Sequence, residues 1–383
     1  MPDQKVEPSK TILVTGSDGM IGWHFRSRLL SMGDQVEVVP CNRSQFNDPD
    51  YLLKAVANAD AIVHLAGMNR GEEAEIVETN IRLAETIVAA CQQANCQPHI
   101  VYSSSTHVDG ESQYGFSKRT AGQRFQSWAD ATGGKFANLI LPHVFGEHGK
   151  PFYNSVVSTF AHQLAVGETP EIANDGDLEL LHAQDVALKI WSVLEEGQTG
   201  EIRPSGMPMK VSELLERLTT LRDRYIDGVI PDGKDPMALK LFNTWRSYIP
   251  VDQRPTDLQL HSDDRGNLFE AARADGQGQV FLSTTRPGIT RGEHFHFRKV
   301  ERFLVVQGDA KIRLRRVLTD DVITYDVSGD QPQAIDIPTL HTHNITNVGD
   351  TTLLTLFWSG EHYDPENSDT YYVLVEPSQA VDT

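Results

Sequence analysis

The sequence predicts two domains of different class: a doubly wound parallel α/β sheet, followed by an all-β double-sheet barrel. Three observations carry that reading. Short apolar strands alternate with amphipathic helices through the first half, from Thr11-Ile-Leu-Val-Thr15 to His99-Ile-Val-Tyr-Ser-Ser-Ser105, the pattern of a parallel sheet with crossover helices. A glycine turn, Gly16-Ser-Asp-Gly-Met-Ile-Gly22, joins the first strand to a helix carrying Phe25, Leu29 and Leu30 at helical spacing. Towards the C-terminus, extended segments hold His294, His296, Glu301 and a further histidine pair, His341 and His343. At 383 residues the chain exceeds what one hydrophobic core usually serves. We place the first domain at 1–250 and the second at 257–383, with Pro250 to Asp257 as a linker that has prolines and no apolar periodicity.

The first strand and its turn have the context that makes a glycine fingerprint informative. Gly16, Gly19 and Gly22 let the backbone close on a pyrophosphate, and Met20, Ile21 and Gly22 open a helix whose free N–H groups attract it. The second strand, Val36-Glu-Val-Val39, runs into Pro40-Cys-Asn-Arg43. NAD enzymes usually carry an acid at this strand end to bind the ribose hydroxyls. Pro40 stands there instead, Glu37 sits mid-strand, and Asn42 with Arg43 suits a 2′-phosphate, so NADPH is favoured.

Ala61-Ile-Val-His-Leu-Ala-Gly67 is another buried parallel strand, and Glu75 to Asn95 a long amphipathic helix. The chemistry of this half lies in Ser105, Tyr114 and Lys118. Tyrosine and lysine four apart share a helix face, and a nearby ammonium is expected to lower the tyrosine pKa from about 10. Tyr114 then gives a proton to a carbonyl oxygen held by Ser105 as hydride reaches carbon, while Lys118 binds the nicotinamide ribose.

In the second half, alternate strand residues share a face, so His294 and His296 point the same way and Glu301 follows. The third imidazole comes from Pro338-Thr-Leu-His-Thr-His-Asn-Ile-Thr-Asn347. Three imidazoles and a carboxylate suit a divalent transition metal with positions left open for substrate; zinc is the first choice, though this ligand set does not name its metal. Gly288, His294, His296, Glu301 and Gly308 fit the first cupin motif in full, so this domain resembles a metal-binding cupin. His343 with Asn347 fits the second motif, although Pro332 and Leu340 stand where it prefers glycine. His341 is the rival ligand; the spacing to Asn347 favours His343, with His341 behind it.

The wider glycine spacing resembles extended short-chain dehydrogenases, in which Leu65, Ala66 and Gly67 lie beside the adenosine and Asn80 steadies the sheet. Only eight residues separate Ser105 from Tyr114, and that short loop narrows the match. Over nearly its whole length the chain resembles a two-domain family from bacterial capsule and lipopolysaccharide synthesis, the UDP-2-acetamido-2,6-dideoxyhexos-4-ulose 3-epimerase/reductases. Pro142-His-Val-Phe-Gly146, Lys150-Pro-Phe-Tyr-Asn-Ser155, Leu178 to Ala187, Phe303-Leu-Val-Val306, Tyr363-Asp-Pro365 and Asp369-Thr-Tyr371 look like its segments, while Leu141 and His143 replace an expected Arg and Asn.

The resemblance implies a Rossmann-like reductase fused to a cupin and a homodimer. Its substrate would be a 4-keto UDP-2-acetamido-2,6-dideoxyhexose and its product UDP-N-acetyl-6-deoxy-L-talosamine, a precursor of UDP-N-acetyl-L-fucosamine. Chemistry orders the steps, because C3 is acidic only while C4 is a ketone. Epimerisation therefore precedes reduction. Lys299 is a candidate to move the C3 proton, against the commoner reading of an exposed strand lysine. Three rivals stand beside this reading: an NADPH ketosugar reductase whose cupin only dimerises or regulates, a cupin iron oxygenase or isomerase, and a nucleotide sensor without catalysis.

Thirty-four basic against 53 acidic side chains give −19, which argues against nucleic acid and anionic membranes as partners. No apolar run reaches membrane-span length, and the first residues, Met-Pro-Asp-Gln-Lys, lack a signal core. Three cysteines, Cys41, Cys91 and Cys96, match no metal or redox spacing and suit a reducing cytoplasm.

Overall fold

A computed structural model describes residues 10–231, 233–259, 261–263, 266–274, 276 and 278–377. It divides into two compact units, Met1–Val156 with Asp175–Val211, and Val157–Asn174 with Ser212–Thr383.

The first unit is built on a six-stranded sheet in the order Val36–Cys41, Lys10–Thr15, Ala61–His64, His99–Ser105, Phe136–Leu141, Gly200–Ile202, parallel throughout. The strands are apolar on both sides because helices cover both faces. Leu13, Ile62, Ile100 and Tyr102 pack on one, Ile12, Val14, Val63 and Val101 on the other. The order reverses between Lys10–Thr15 and Ala61–His64, and the crevice at such a reversal is where open α/β sheets bind nucleotides. Pro40 lies inside the second strand, which extends to Cys41. That strand is at the sheet edge, the one place where a proline's missing N–H costs no ladder bond.

Local chemistry sets the helix ends. Asp48 accepts from the amides of Asp50 and Tyr51 at 3.1 Å ahead of Pro49, and Asn95 closes Glu73–Ala94 in the left-handed conformation. No helix among the described residues is long and apolar enough to cross a membrane.

In the second unit, two antiparallel five-stranded sheets face each other. One runs Pro255–Asp257, Gln333–Ile337, Glu301–Gln307, Leu353–Ser359, Gln279–Thr285; the other Val322–Ser328, Asp309–Arg316, His341–Asn347, Thr290–Phe295, Tyr371–Tyr372. Phe303, Val305, Ile312, Leu314, Ile335 and Ile345 fill the space between them, which is the double-sheet barrel the sequence predicts. Pro255–Asp257, expected as linker, is already an edge strand of the barrel, paired with Gln333–Ile335. A proline at the first position of an edge strand does not interrupt pairing.

Helices Val211–Ile226 and Pro236–Arg246 pack in this same unit. Tyr225 donates to Asp336 at 2.5 Å, Arg302 grips the same carboxylate at 2.7 and 2.9 Å, and Asn243 donates to the Arg298 carbonyl at 3.2 Å. Burial would raise the pKa of Asp336, but the Arg302 charge outweighs it and holds the carboxyl below its usual range.

Candidate active sites: a dinucleotide crevice and a histidine–glutamate centre

At the end of Lys10–Thr15 the chain turns at Gly16, whose φ of +66° belongs to the left-handed region. A Cβ there would lie 2.7 Å from the Ala66 amide nitrogen, and one on Gly22 would lie 2.3 Å from the Gly16 carbonyl oxygen. Only glycine permits this closeness. Helix Met20–Leu30 starts with Gly19 as its cap and no side-chain cap, so the amides of Met20, Ile21 and Gly22 face the crevice unanswered by a cap. Leu65 and Ala66 are tied to the first strand, their amides donating to the Thr15 carbonyl and hydroxyl at 3.2 and 3.4 Å. Asn42 caps the short helix Arg43–Phe46, accepting from the Gln45 amide at 3.1 Å, and Arg43 is exposed beside it. This cradle of glycines and uncapped amides fits the pyrophosphate of a dinucleotide.

Ser105, Tyr114 and Lys118 are brought together. Ser105 ends its strand and accepts from the His107 amide at 3.4 Å. Ser112 caps helix Gln113–Thr132, and Tyr114 and Lys118 follow one turn apart. The buried Lys118 ammonium donates to the Ser103 carbonyl at 2.8 Å and lies 4.8 Å from the Tyr102 ring centroid and 5.9 Å from that of Tyr114. A Cβ on Gly67 would stand 3.2 Å from Lys118 Nζ and 3.3 Å from Asn80 Oδ1. Asn80 accepts from the Met68 amide at 2.7 Å and donates to the Met68 carbonyl and the Ser117 hydroxyl, both at 2.9 Å. It thus joins the Leu65–Met68 turn to the tyrosine helix.

Burial pushes the Tyr114 hydroxyl up to about 12, against a smaller downward pull from its hydrogen bond with Ser105. The expected lowering by Lys118 is not found. The ammonium is spent on the Ser103 carbonyl, and burial lowers Lys118 itself to about 8. A tyrosine held protonated is the form that donates a proton.

Two neighbours were not foreseen. His107 packs edge-on to the Tyr114 ring, centroids 5.6 Å apart. His143, noted in the sequence only as a departure, lies 3.3 Å from the Ser155 hydroxyl and is lowered by burial and then by His107. Beyond them Glu147, fully buried, sits 3.1 Å from His182 and 3.8 Å from His24. Isolated histidines on four separate elements give no periodic signal in a sequence.

In the second unit His294, His296, Glu301 and His343 converge, with one ligand atom from each within 4.8 Å of every other. The route differs from simple alternation. A bulge between Gly292 and His294 sets Glu293 at φ +67°, and His296 lies past the strand's end at Phe295. The bulge re-aims His294 so that the rings of His294 and His296 still meet, centroids 5.0 Å apart. His343 comes in from the neighbouring strand, 4.5 Å from His294. His341 is outside the cluster; its Nδ1 is 2.9 Å from the Thr339 carbonyl, so His343 is the convergent imidazole.

Nδ1 of His296 donates to the Asp369 carbonyl at 2.6 Å and Nδ1 of His343 to the His341 carbonyl at 3.2 Å. Each bond turns Nε2 inward as a lone-pair donor. These two Nε2 atoms are buried without a hydrogen bond, 3.1 and 3.6 Å from Glu301 Oε2. Burial lowers His294 to about 3 and also lowers His343, so both are neutral. Burial would raise Glu301, but the facing imidazoles outweigh it and hold the carboxyl well below its usual range. Neutral imidazoles around an ionised carboxylate, with inward nitrogens unsatisfied, fit a divalent cation. Lys299 is buried rather than exposed, with Nζ 3.3 Å from the Thr370 hydroxyl and 3.9 Å from Glu301 Oε1. It lies in the turn between two strands, not on a strand's outer face.

Fold and sites together define a dinucleotide-type epimerase/dehydrogenase joined to a cupin-like barrel. Residues 12–203 match the NAD dependent epimerase/dehydratase family and 261–371 the polysaccharide biosynthesis C-terminal domain. A UDP-2-acetamido-2,6-beta-L-arabino-hexul-4-ose reductase of Pseudomonas aeruginosa is 31% identical over 367 residues, 94% of this chain and 97% of that protein. The crystal structure of the capsular polysaccharide assembling protein CapF from Staphylococcus aureus superposes with a TM-score of 0.62 at 31% identity, over 95% of this chain and 100% of that one. An inverting UDP-N-acetylglucosamine 4,6-dehydratase of Campylobacter jejuni is 24% identical over 57% of this chain and 74% of its own. The chain belongs to the two-domain UDP-2-acetamido-2,6-dideoxyhexos-4-ulose 3-epimerase/reductase family, an extended short-chain dehydrogenase fused to a cupin.

Proposed function

We propose that the protein is a bifunctional UDP-sugar enzyme of capsular polysaccharide synthesis. Its cupin module epimerises C3 of a 4-keto UDP-2-acetamido-2,6-dideoxyhexose, and its reductase module, built on the six-stranded sheet, then reduces C4 to give UDP-N-acetyl-6-deoxy-L-talosamine. The observation that carries this reading is the presence in one chain of both a complete serine–tyrosine–lysine set and a complete four-ligand cluster. A barrel kept only for dimerisation has no need of buried, unsatisfied imidazole nitrogens.

Bound NADPH supplies hydride to C4. Gly16, Gly19, Met20, Ile21 and Gly22 hold its pyrophosphate, Leu65, Ala66 and Gly67 flank the adenosine, and Asn42 with Arg43 meets the 2′-phosphate. Asn80 fixes the turn that carries Gly67. Ser105 holds the ketone oxygen and Tyr114, protonated at neutral pH, delivers its proton there. Lys118, anchored on the Ser103 carbonyl, binds the nicotinamide ribose.

A divalent cation, zinc first, held by His294, His296, Glu301 and His343 supplies positive charge for the oxygen that becomes negative when C3 loses its proton. Burial keeps His294 and His343 neutral, and Glu301 is held ionised, so these three need lose no proton to receive it. The same reading makes the enzyme a cytoplasmic homodimer that acts on a UDP-linked 4-keto amino sugar, without nucleic acid or membrane partners.

The test is NADPH oxidation on the 4-keto UDP-sugar in deuterated water, with and without chelator. Deuterium at C3 of the reduced product, lost on chelation together with the talo configuration, is the expected result. Reduction without C3 exchange in zinc-loaded enzyme would leave a ketosugar reductase carrying a passenger barrel.

A further inference from the structure

Residues 369–375 lie far along the chain from the first two histidine ligands, yet they bond mainly to the segments that carry the cluster. Tyr371 and Tyr372 pair with Phe295 and His294. The Val373 amide donates to the Glu293 carbonyl at 2.9 Å and the Val375 amide to the Glu293 carboxylate at 2.6 Å. The Val373 carbonyl accepts from the hydroxyl of Thr342, next to His343. Farther along, Arg315 donates to the carbonyls of Leu374 and Val375 at 2.6 and 2.7 Å.

Asp369 is where these bonds concentrate. It is 3% exposed, and its backbone sits in the left-handed region at φ +46°. Its carbonyl receives the His296 Nδ1 proton at 2.6 Å. Its carboxylate collects three successive amides, Phe297 at 3.1 Å on one oxygen, Arg298 at 2.9 Å and Lys299 at 3.0 Å on the other. Those amides belong to the turn leading from His296 to Glu301, and they bring Lys299 to Thr370 and Glu301. One residue therefore orients a ligand with its backbone and the connecting turn with its side chain.

We propose that Asp369 is the positioning residue of the cupin centre, so that metal binding and docking of residues 369–375 form one linked equilibrium. The inference rests on the reading of the four-ligand cluster as a metal site. A cation that binds only the docked arrangement stabilises docking, and by reciprocity docking raises cation affinity. His343 has its own support in the His341 carbonyl, so loss of Asp369 weakens the site without abolishing it.

The full-length protein tests this with zinc as the probe. Zinc affinity is read by competition with a chromophoric chelator, and backbone hydrogen exchange of 371–375 is followed with and without zinc. Asp369→Asn, whose amide NH2 must replace one carboxylate oxygen and so face either the Phe297 amide or those of Arg298 and Lys299, is expected to bind zinc roughly 10–100-fold more weakly. Its cobalt-substituted form should show a shifted visible spectrum. In the wild type zinc should slow exchange at 371–375. Arg315→Met, which frees the far end of the segment and leaves Asp369 in place, should cost less affinity than Asp369→Asn. A folded Asp369→Asn protein with wild-type zinc affinity overturns the proposal, and so does wild-type exchange at 371–375 indifferent to bound zinc, whether or not the variant folds. Wild-type protein that takes up no zinc overturns the metal reading itself, and this one with it.

Discussion

Ser105, Tyr114 and Lys118 come from one strand end and the first two turns of helix Gln113–Thr132, whereas the four residues of the histidine–glutamate cluster come from three strands and a turn and are supported from residue 369. The first site is local in sequence. Its spacing follows from helix geometry, and its electrostatics are a contest between burial and one or two hydrogen bonds. The second is assembled by strand register and a bulge, and its electrostatics are collective, three imidazoles against one carboxylate. A single substitution in the first should remove chemistry and spare structure. One in the second should alter chemistry through the geometry of its neighbours.

The sharpest separation is expected from Tyr114→Phe. The ring and its packing against His107 remain, but the hydroxyl is gone. NADPH oxidation on the ketosugar should fall by about 10²–10⁴, while zinc content and deuterium entry at C3 of the unreduced ketone stay at wild-type levels. Loss of C3 exchange in this variant would mean that the two chemistries share a group.

Glu301→Gln should do the reverse. An amide in place of the one carboxylate of the cluster leaves three imidazoles to hold the proposed cation. Zinc affinity should drop by more than the roughly 10–100-fold of an outer-sphere change, and C3 exchange should vanish while ketone reduction survives. Unchanged zinc stoichiometry by elemental analysis would remove Glu301 from the ligand set.

Acid–base behaviour divides the sites again. Burial lowers Lys118 to about 8, so its ammonium is present below that pH and lost above it. The kcat/KM for reduction, which reports groups of the free enzyme, should decline roughly tenfold per unit as pH rises past about 8. Stability moves the other way. Between about 8 and the ordinary lysine value near 10.4, the unfolded chain holds a proton the folded one has shed, so the Lys118 contribution to stability rises with pH. Lys118→Met should abolish both trends, which a kinetic profile and denaturation midpoints at pH 7 and 10 would read.

How far each site was legible follows from the same contrast. Strand, glycine turn and helix are consecutive, so Gly16 to Gly22 and the Tyr114–Lys118 pair could be found by spacing alone, as could His294, His296 and Glu301. The choice of His343 over His341 needed a motif, because both point to one face of their strand and only packing sends His341 to Thr339. What spacing could not carry was burial. Tyr114 was expected lowered and is raised, and Lys299 was expected exposed and is buried, because each depends on segments far away in the chain. Asp369 was visible only as part of a resembling tripeptide. Its bonds to 296–299 span some seventy residues, beyond any periodicity.

Asn80 gives the smallest and most diagnostic effect. Buried on helix Glu73–Ala94, it is bonded to both backbone groups of Met68 and to the Ser117 hydroxyl. It touches none of the reacting groups named here, yet it spans the gap between the adenosine-side turn and the tyrosine helix. Asn80→Leu keeps approximate volume and strands the Met68 amide and carbonyl, at a cost of about 1–3 kcal/mol per buried group left unpaired. The denaturation midpoint of the first unit should fall accordingly, and KM for NADPH should rise more than kcat falls, since Gly67 is displaced before Tyr114. A variant with unaltered KM and a lowered kcat would instead place Asn80 in support of the tyrosine helix, acting through Ser117.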